Sequence, residues 1–191
     1  MRLFLFVCLA TCLCSVGLGS LPDKNGPHKV RRTTVRVGTF ISGGPQIALL
    51  YYPRDFARLN ESLPLISFAH GMYCGGIWNS YYYGHLMRRI ASWGFVVIAP
   101  NSCPQLWCTE NFTEDVARSI RDSKGLHAAL LAADYSRTGV VGQSMGGNTA
   151  MKIATWDAVT ELNIRAAVAL EPGTMFDNNT LPYKIRIPVY V

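Results

Sequence analysis

The chain has 191 residues, of which 49% are hydrophobic, 16% charged and 11% aromatic, with 17 Gly and 10 Pro. This composition excludes a disordered, collagen-like or low-complexity chain, and the length suits one domain with a short leader and enough residues for a core. The net charge of +6 comes from scattered basic residues, the longest runs being Arg31-Arg32 and Arg88-Arg89, so nothing forms the concentrated patch with interleaved aromatics that a nucleic-acid surface requires.

In chain order, a leader comes first. Arg2 gives a positive start, Leu3 to Cys14 is an apolar run, and Gly17 and Gly19 are small residues suited to cleavage. That is the layout of a secretory signal peptide over residues 1–19, ahead of an exported domain over residues 20–191. A signal anchor is the alternative, although the run falls short of the roughly 20 apolar residues of a spanning helix, and no other segment could cross a bilayer. Cys8, Cys12 and Cys14 fall in the leader, leaving Cys74, Cys103 and Cys108, an odd number for an exported chain. Cys103 and Cys108 bracket a short loop and are the expected local bridge. Asn60-Glu61-Ser62, Asn111-Phe112-Thr113 and Asn178-Asn179-Thr180 fit the N-glycosylation pattern, each in an expected loop.

Val30 to Phe40 alternates and is rich in β-branched residues, and Ile47 to Tyr52 is apolar. With Ser42-Gly43-Gly44-Pro45 between them, the pair reads as an antiparallel hairpin. Pro53 to Pro64 is polar and reads as a surface loop. Leu65–Ala69, Phe95–Ala99, Gly139–Val141, Ala166–Leu170 and Val189 onward are short, nearly continuous apolar runs, as expected of parallel strands buried on both faces. Helical spacing separates them: Tyr82, Leu86 and Ile90 before Gly94; Val116, Ile120, His127 and Leu131 in one helix with Thr113 as its cap; and Asn148 to Thr155. Alternating strands and helices predict an α/β sandwich with right-handed crossovers. Ile187-Pro188-Val189-Tyr190-Val191 reads as the opening of a buried strand, where a natural terminus would bury its carboxylate, so an incomplete chain is expected.

The chemistry concentrates in Gly142-Gln143-Ser144-Met145-Gly146-Gly147, a Gly-x-Ser-x-Gly pattern directly between an expected strand and an expected helix. A turn this sharp needs Gly142 and Gly146, whose lack of side chains lets the two arms nearly touch. It presents the Ser144 hydroxyl at the positive end of the following helix. A serine nucleophile needs preorganised donors for the developing oxyanion. The amide of Met145 is one, and the amide of Met72, in Ala69-His70-Gly71-Met72-Tyr73-Cys74-Gly75-Gly76, is the expected second. His70 is either a base or, as favoured here, a brace for that loop. Met72, Tyr73 and Trp78 either line an acyl or alcohol pocket or are ordinary loop and core residues.

Ser67-Phe68-Ala69-His70-Gly71, Tyr81-Tyr82-Tyr83-Gly84-His85-Leu86, the segment from Ala91 to Asn101, and Gly142 to Gly147 together resemble the α/β-hydrolase superfamily. Within it they are most similar to the branch of chlorophyllases, cutinase-like polyester hydrolases and platelet-activating-factor acetylhydrolases, from about Val35 to the end. The resemblance implies a mostly parallel sheet with an N-terminal antiparallel hairpin and helices on both faces. It also implies a serine carboxylic-ester hydrolase with an acyl-enzyme step and no metal or organic cofactor. Its substrate would be an ester or lipid-like molecule or polymer, and which ester does not carry over. The family's oxyanion-hole positions map onto Met72 and Met145.

One feature departs from the family. Its triad runs Ser, acid, His along the chain, whereas His28, His70, His85 and His127 all precede Ser144. The acid and histidine are therefore expected beyond Val191, with Glu171 the alternative acid and Asp177 a weaker one. The rival reading is a secreted, catalytically silent hydrolase-like binding module that lacks both.

Overall fold

The computed structural model describes residues 24–38, 40–42, 46–75, 77–103, 109–173 and 185–191. The leader, the tip of the first hairpin, Cys108, Asp177 and Asn178 lie outside them. Strands β1 (Val30–Arg36), β2 (Ile47–Pro53), β3 (Leu63–Ala69), β4 (Val96–Pro100), β5 (Ala133–Gln143), β6 (Ile164–Leu170) and β7 (Val189–Tyr190) form one sheet in the order β1-β2-β4-β3-β5-β6-β7. The β1–β2 and β2–β4 pairs are antiparallel, and every other neighbour is parallel. The helices are α1 (Ile77–Ser92), α2 (Thr109–Arg121), α3 (Ala128–Leu131), α4 (Met145–Ile153) and α5 (Ala158–Glu161). The expected α/β-hydrolase architecture is the observed one.

The central strands read as nearly continuous apolar runs because both of their faces are covered. Leu50, Leu65, Ile98 and Val140 pack with Val116, Ile120, Ala150 and Ile153 of α2 and α4 on one side. Tyr51, Ile66, Phe68, Val97 and Val141 pack with Met87, Ile90 and Ala91 of α1 on the other. The chain leaves β3 through α1 toward β4, but leaves β5 through α4 toward β6, in the opposite direction along the sheet. Right-handed crossovers then place α1 and α4 on opposite faces, and the carboxyl ends of β3 and β5 part as a crevice, the usual site of chemistry in such sheets.

Several local expectations are corrected. The helix expected to run through Val116 to Leu131 is two: α2 ends at Arg121, Gly125 takes φ +89, and His127 starts α3 as its cap, with Nδ1 accepting from Ala129 N–H at 3.1 Å. Thr113 is no cap, since α2 begins at Thr109. The sequon residue Asn111 consequently lies in the first turn of a helix rather than in a loop, whereas Asn60 is in an exposed bend. Within the expected Pro53–Pro64 loop, Phe56–Arg58 forms a short 3-10 helix and β3 already begins at Leu63. Cys103 is disulfide-bonded and Cys74 is free.

Asp115 of α2 is fully buried and ties that helix to the end of the first hairpin. Its carboxylate accepts from Ile41 N–H at 2.6 Å, from Ser42 N–H at 3.0 Å and from the Ser42 hydroxyl. Asp115→Ala leaves those donors without partners and is expected to cost about 2–3 kcal/mol, with Asp115→Asn milder because one acceptor remains. Urea denaturation midpoints of the two variants check this; equal midpoints for wild type and Asp115→Ala would refute it.

Candidate active site

Parallel pairing aligns the two loops of the crevice residue by residue. Ala69 of β3 sits opposite Gly142 of β5, the last pair of that ladder. Met72 and Met145 each lie three residues beyond it, so the segments that carry the two expected oxyanion donors leave the sheet from neighbouring strands. A Cβ on Gly146 would fall well under 3.0 Å from the carbonyl oxygens of Ala69 and His70, and one on Gly142 would meet the Gly146 carbonyl. The start of α4 therefore lies against the backbone of β3 and against the turn into the helix, and both glycines are required by contact.

Ser144 occupies the turn itself, at φ 53 and ψ −116, a left-handed conformation that costs a side-chain-bearing residue on the order of 1–3 kcal/mol. Backbone bonds hold it there. Its N–H donates to Leu170 O at 2.9 Å, and its carbonyl accepts from Asn148 N–H at 3.0 Å and Gly173 N–H at 3.1 Å. The half-buried side chain makes no capping bond to its own helix, and Gly173 passes within 3.7 Å of Oγ (as a Cβ placed on it would measure). Met145 is buried at the first position of α4, while Met72 is half-buried and rests on the core beneath the loop.

His70 is fully buried under the Phe112 ring, with centroids 4.5 Å apart. Nδ1 faces Gly71 O at 2.8 Å and Nε2 faces Ser102 O at 2.7 Å, so both ring nitrogens are committed to backbone carbonyls. This is the bracing geometry rather than that of a base poised at Ser144. Desolvation pulls the His70 pKa below the ordinary imidazole value of 6.5, against the opposing pull of the two carbonyls. An unfolded chain thus takes up this proton before the folded one does. Stability is expected to be flat above about pH 6.5 and to fall below it, by at most about 1.4 kcal/mol per pH unit for one proton. Urea midpoints at pH 7.5 and 5.5 read the effect, which should shrink in His70→Gln; an unchanged difference there would assign the slope to other groups.

The remaining histidines are placed elsewhere. His127 caps α3, His28 lies 3.6 Å from Asp55, and His85 is exposed on α1. Glu171, the alternative acid, follows β6 with φ 45 and an exposed side chain. Tyr73 and Trp78 are both about half exposed, at 56% and 48%, and Trp78 packs against Tyr81 and Tyr82 at the surface of α1.

Sequence reasoning missed a polar bridge across the crevice. The Tyr83 hydroxyl, from α1, accepts from Gly71 N–H at 3.1 Å and donates to Gln143 Oε1 at 2.7 Å. The one available signal was the polar side chain at position 143, directly before the serine.

Comparison with known proteins bears on the family of the chain. The sequence model of the family described as Chlorophyllase matches residues 23–185. The chain is similar to Chlorophyllase-1 of Arabidopsis thaliana, at 31% identity over 147 residues, which is 67% of this chain and 44% of that protein. It thus spans less than half the length of the curated relative it matches.

Proposed function

Since this chain belongs to the chlorophyllase family, we propose that the protein is a secreted serine carboxylic-ester hydrolase acting through an acyl-enzyme on Ser144. The Ser144 oxygen attacks the ester carbonyl carbon while its proton passes to an imidazole. The carbonyl oxygen becomes an oxyanion between the amides of Met72 and Met145. Collapse breaks the carbon–alkoxy bond, the departing alcohol takes the proton from the imidazolium, and water repeats the sequence to release the acid. The imidazole and its carboxylate partner are supplied, in this proposal, by the whole protein outside these 191 residues, because the four histidines here have other placements. Secretion is supported by the leader pattern of residues 1–19.

The observation that carries the reading is the backbone of Ser144, held in a strained turn at the mouth of the crevice beside the loop of Met72. No structural demand of a strand–helix junction calls for a serine there, since glycine would relieve the strain. The histidine placements favour a second reading, a catalytically silent hydrolase-like binding module. A fluorophosphonate probe on the full-length protein separates the two. The esterase should be labelled at Ser144, with label and p-nitrophenyl ester hydrolysis both lost in Ser144→Ala. A folded full-length protein that takes no label is the silent module.

A further inference from the structure

Among the described residues, the bridge built by Tyr83 is a polar assembly at the crevice that the proposed chemistry leaves without a task. A hydroxyl that accepts from Gly71 N–H has a single proton to give, and Gln143 Oε1 lies 2.7 Å away to receive it, with the Cys74 side chain also beside the hydroxyl. Burial pushes the Tyr83 phenol above its ordinary range, so that proton stays in place. The ring is fixed against Phe68, with centroids 5.1 Å apart. A Cβ on Gly71 would lie 2.6 Å from the Tyr83 hydroxyl and 2.8 Å from Gln143 Oε1, so the loop backbone itself presses into the bridge.

Peptide geometry turns this contact into control of a donor. The Gly71 carbonyl accepts from Cys74 N–H at 3.1 Å and faces His70 Nδ1 at 2.8 Å. In a planar trans peptide the Gly71 carbonyl and the Met72 N–H point in opposite directions. Holding Gly71 at both its N–H and its carbonyl therefore sets the direction of the Met72 N–H. The other end of the bridge is Gln143, the residue joined to Ser144, from which the Met145 N–H follows.

We propose that Tyr83 is a positioning residue for ester hydrolysis, its hydroxyl linking Gly71 to Gln143 and so setting the spacing and direction of the oxyanion donors on Met72 and Met145. The proposal rests on the reading of Ser144 as nucleophile. Tyr83 touches no reacting atom and acts only through the two backbones it joins. Its removal frees the loop by a fraction of an ångström or more, and misplacement of about 1 Å can cost up to 100-fold in rate.

The test uses the full-length protein and p-nitrophenyl butyrate, with rates expressed per fluorophosphonate-labelled site. Tyr83→Phe should lower kcat about 10- to 100-fold, leave KM within about twofold, and slow labelling by the same factor as kcat. Gln143→Met removes the acceptor at the other end and should match it, and the double variant should be no slower than the slower single one. If Tyr83→Phe does not fold, Gln143→Met alone carries the measurement. Wild-type kcat per labelled site in these variants, with or without a lower Tm, assigns the bridge a purely structural role and overturns the proposal. Activity that survives Ser144→Ala overturns the nucleophile reading and this inference together, whereas a silent Ser144→Ala beside a fully active Tyr83→Phe sinks this inference alone.

Discussion

Gly146→Ala should destabilise the fold by about 3 kcal/mol or more and leave the surviving folded fraction unlabelled by a serine-directed probe. The added methyl would press on the carbonyl oxygens of Ala69 and His70, which belong to backbone and not to flexible side-chain ends. Relief requires α4 to back away from β3, and α4 also packs on β5 and carries Ala150 and Ile153 into the core. Gly142→Ala meets the carbonyl of Gly146 itself, so both substitutions push on the same backbone segment and should not simply add when combined. Gly38→Ala is the control, because a Cβ there meets nothing within 4 Å. Guanidinium denaturation of the three variants gives the comparison, and a Gly146→Ala midpoint indistinguishable from that of Gly38→Ala would mean the two arms of the turn are not in contact.

The second large effect separates stability from activity at one atom. On the mechanism proposed above, Ser144→Ala and Ser144→Gly should both lower turnover of the full-length protein, by up to about a million-fold as in subtilisin. Their stabilities should differ. Alanine keeps a Cβ at φ 53, whereas glycine accepts that conformation freely. The strain amounts to roughly 1–3 kcal/mol, and the extra freedom glycine gives the unfolded chain returns about 0.5–1 kcal/mol of it. Ser144→Gly is thus expected to be about 1 kcal/mol more stable than Ser144→Ala, readable as a shift of the denaturation midpoint at unchanged slope. Equal stabilities would show that the turn stores no strain.

What could be read in the sequence was what spacing encodes. Gly142, Ser144 and Gly146 lie within one pentapeptide, and the contact that demands two glycines is a contact between neighbours in sequence, so pattern alone reveals it. The strands were legible because burial on both faces leaves mostly apolar side chains in Leu65–Ala69 and Phe95–Ala99, with Ser67 the exception, its hydroxyl paired to Ser119. The first residues of β5 were not: Ala133 to Arg137 are mixed in polarity, and only their pairing to Leu63 and Pro64 makes them strand. His127 fell on a helical spacing from Ile120, yet Gly125 breaks the helix and turns the same residue into a cap. Asp115 and Tyr83 failed for a common reason. Each was one polar or amphipathic residue on a helix, and the groups that give it meaning lie 60 or more positions away, at Ile41 and Ser42 for the first and at Gln143 for the second.

The two bonds from Ser144 to the chain after β5 and α4, at Leu170 and Gly173, carry one more consequence. Leu170 is the last residue of β6, and Gly173 lies in the segment that follows it. Loosening of that segment would remove two of the bonds that hold the serine in its strained turn. The reach of the hydroxyl therefore depends on where β6 ends as much as on the turn that carries it.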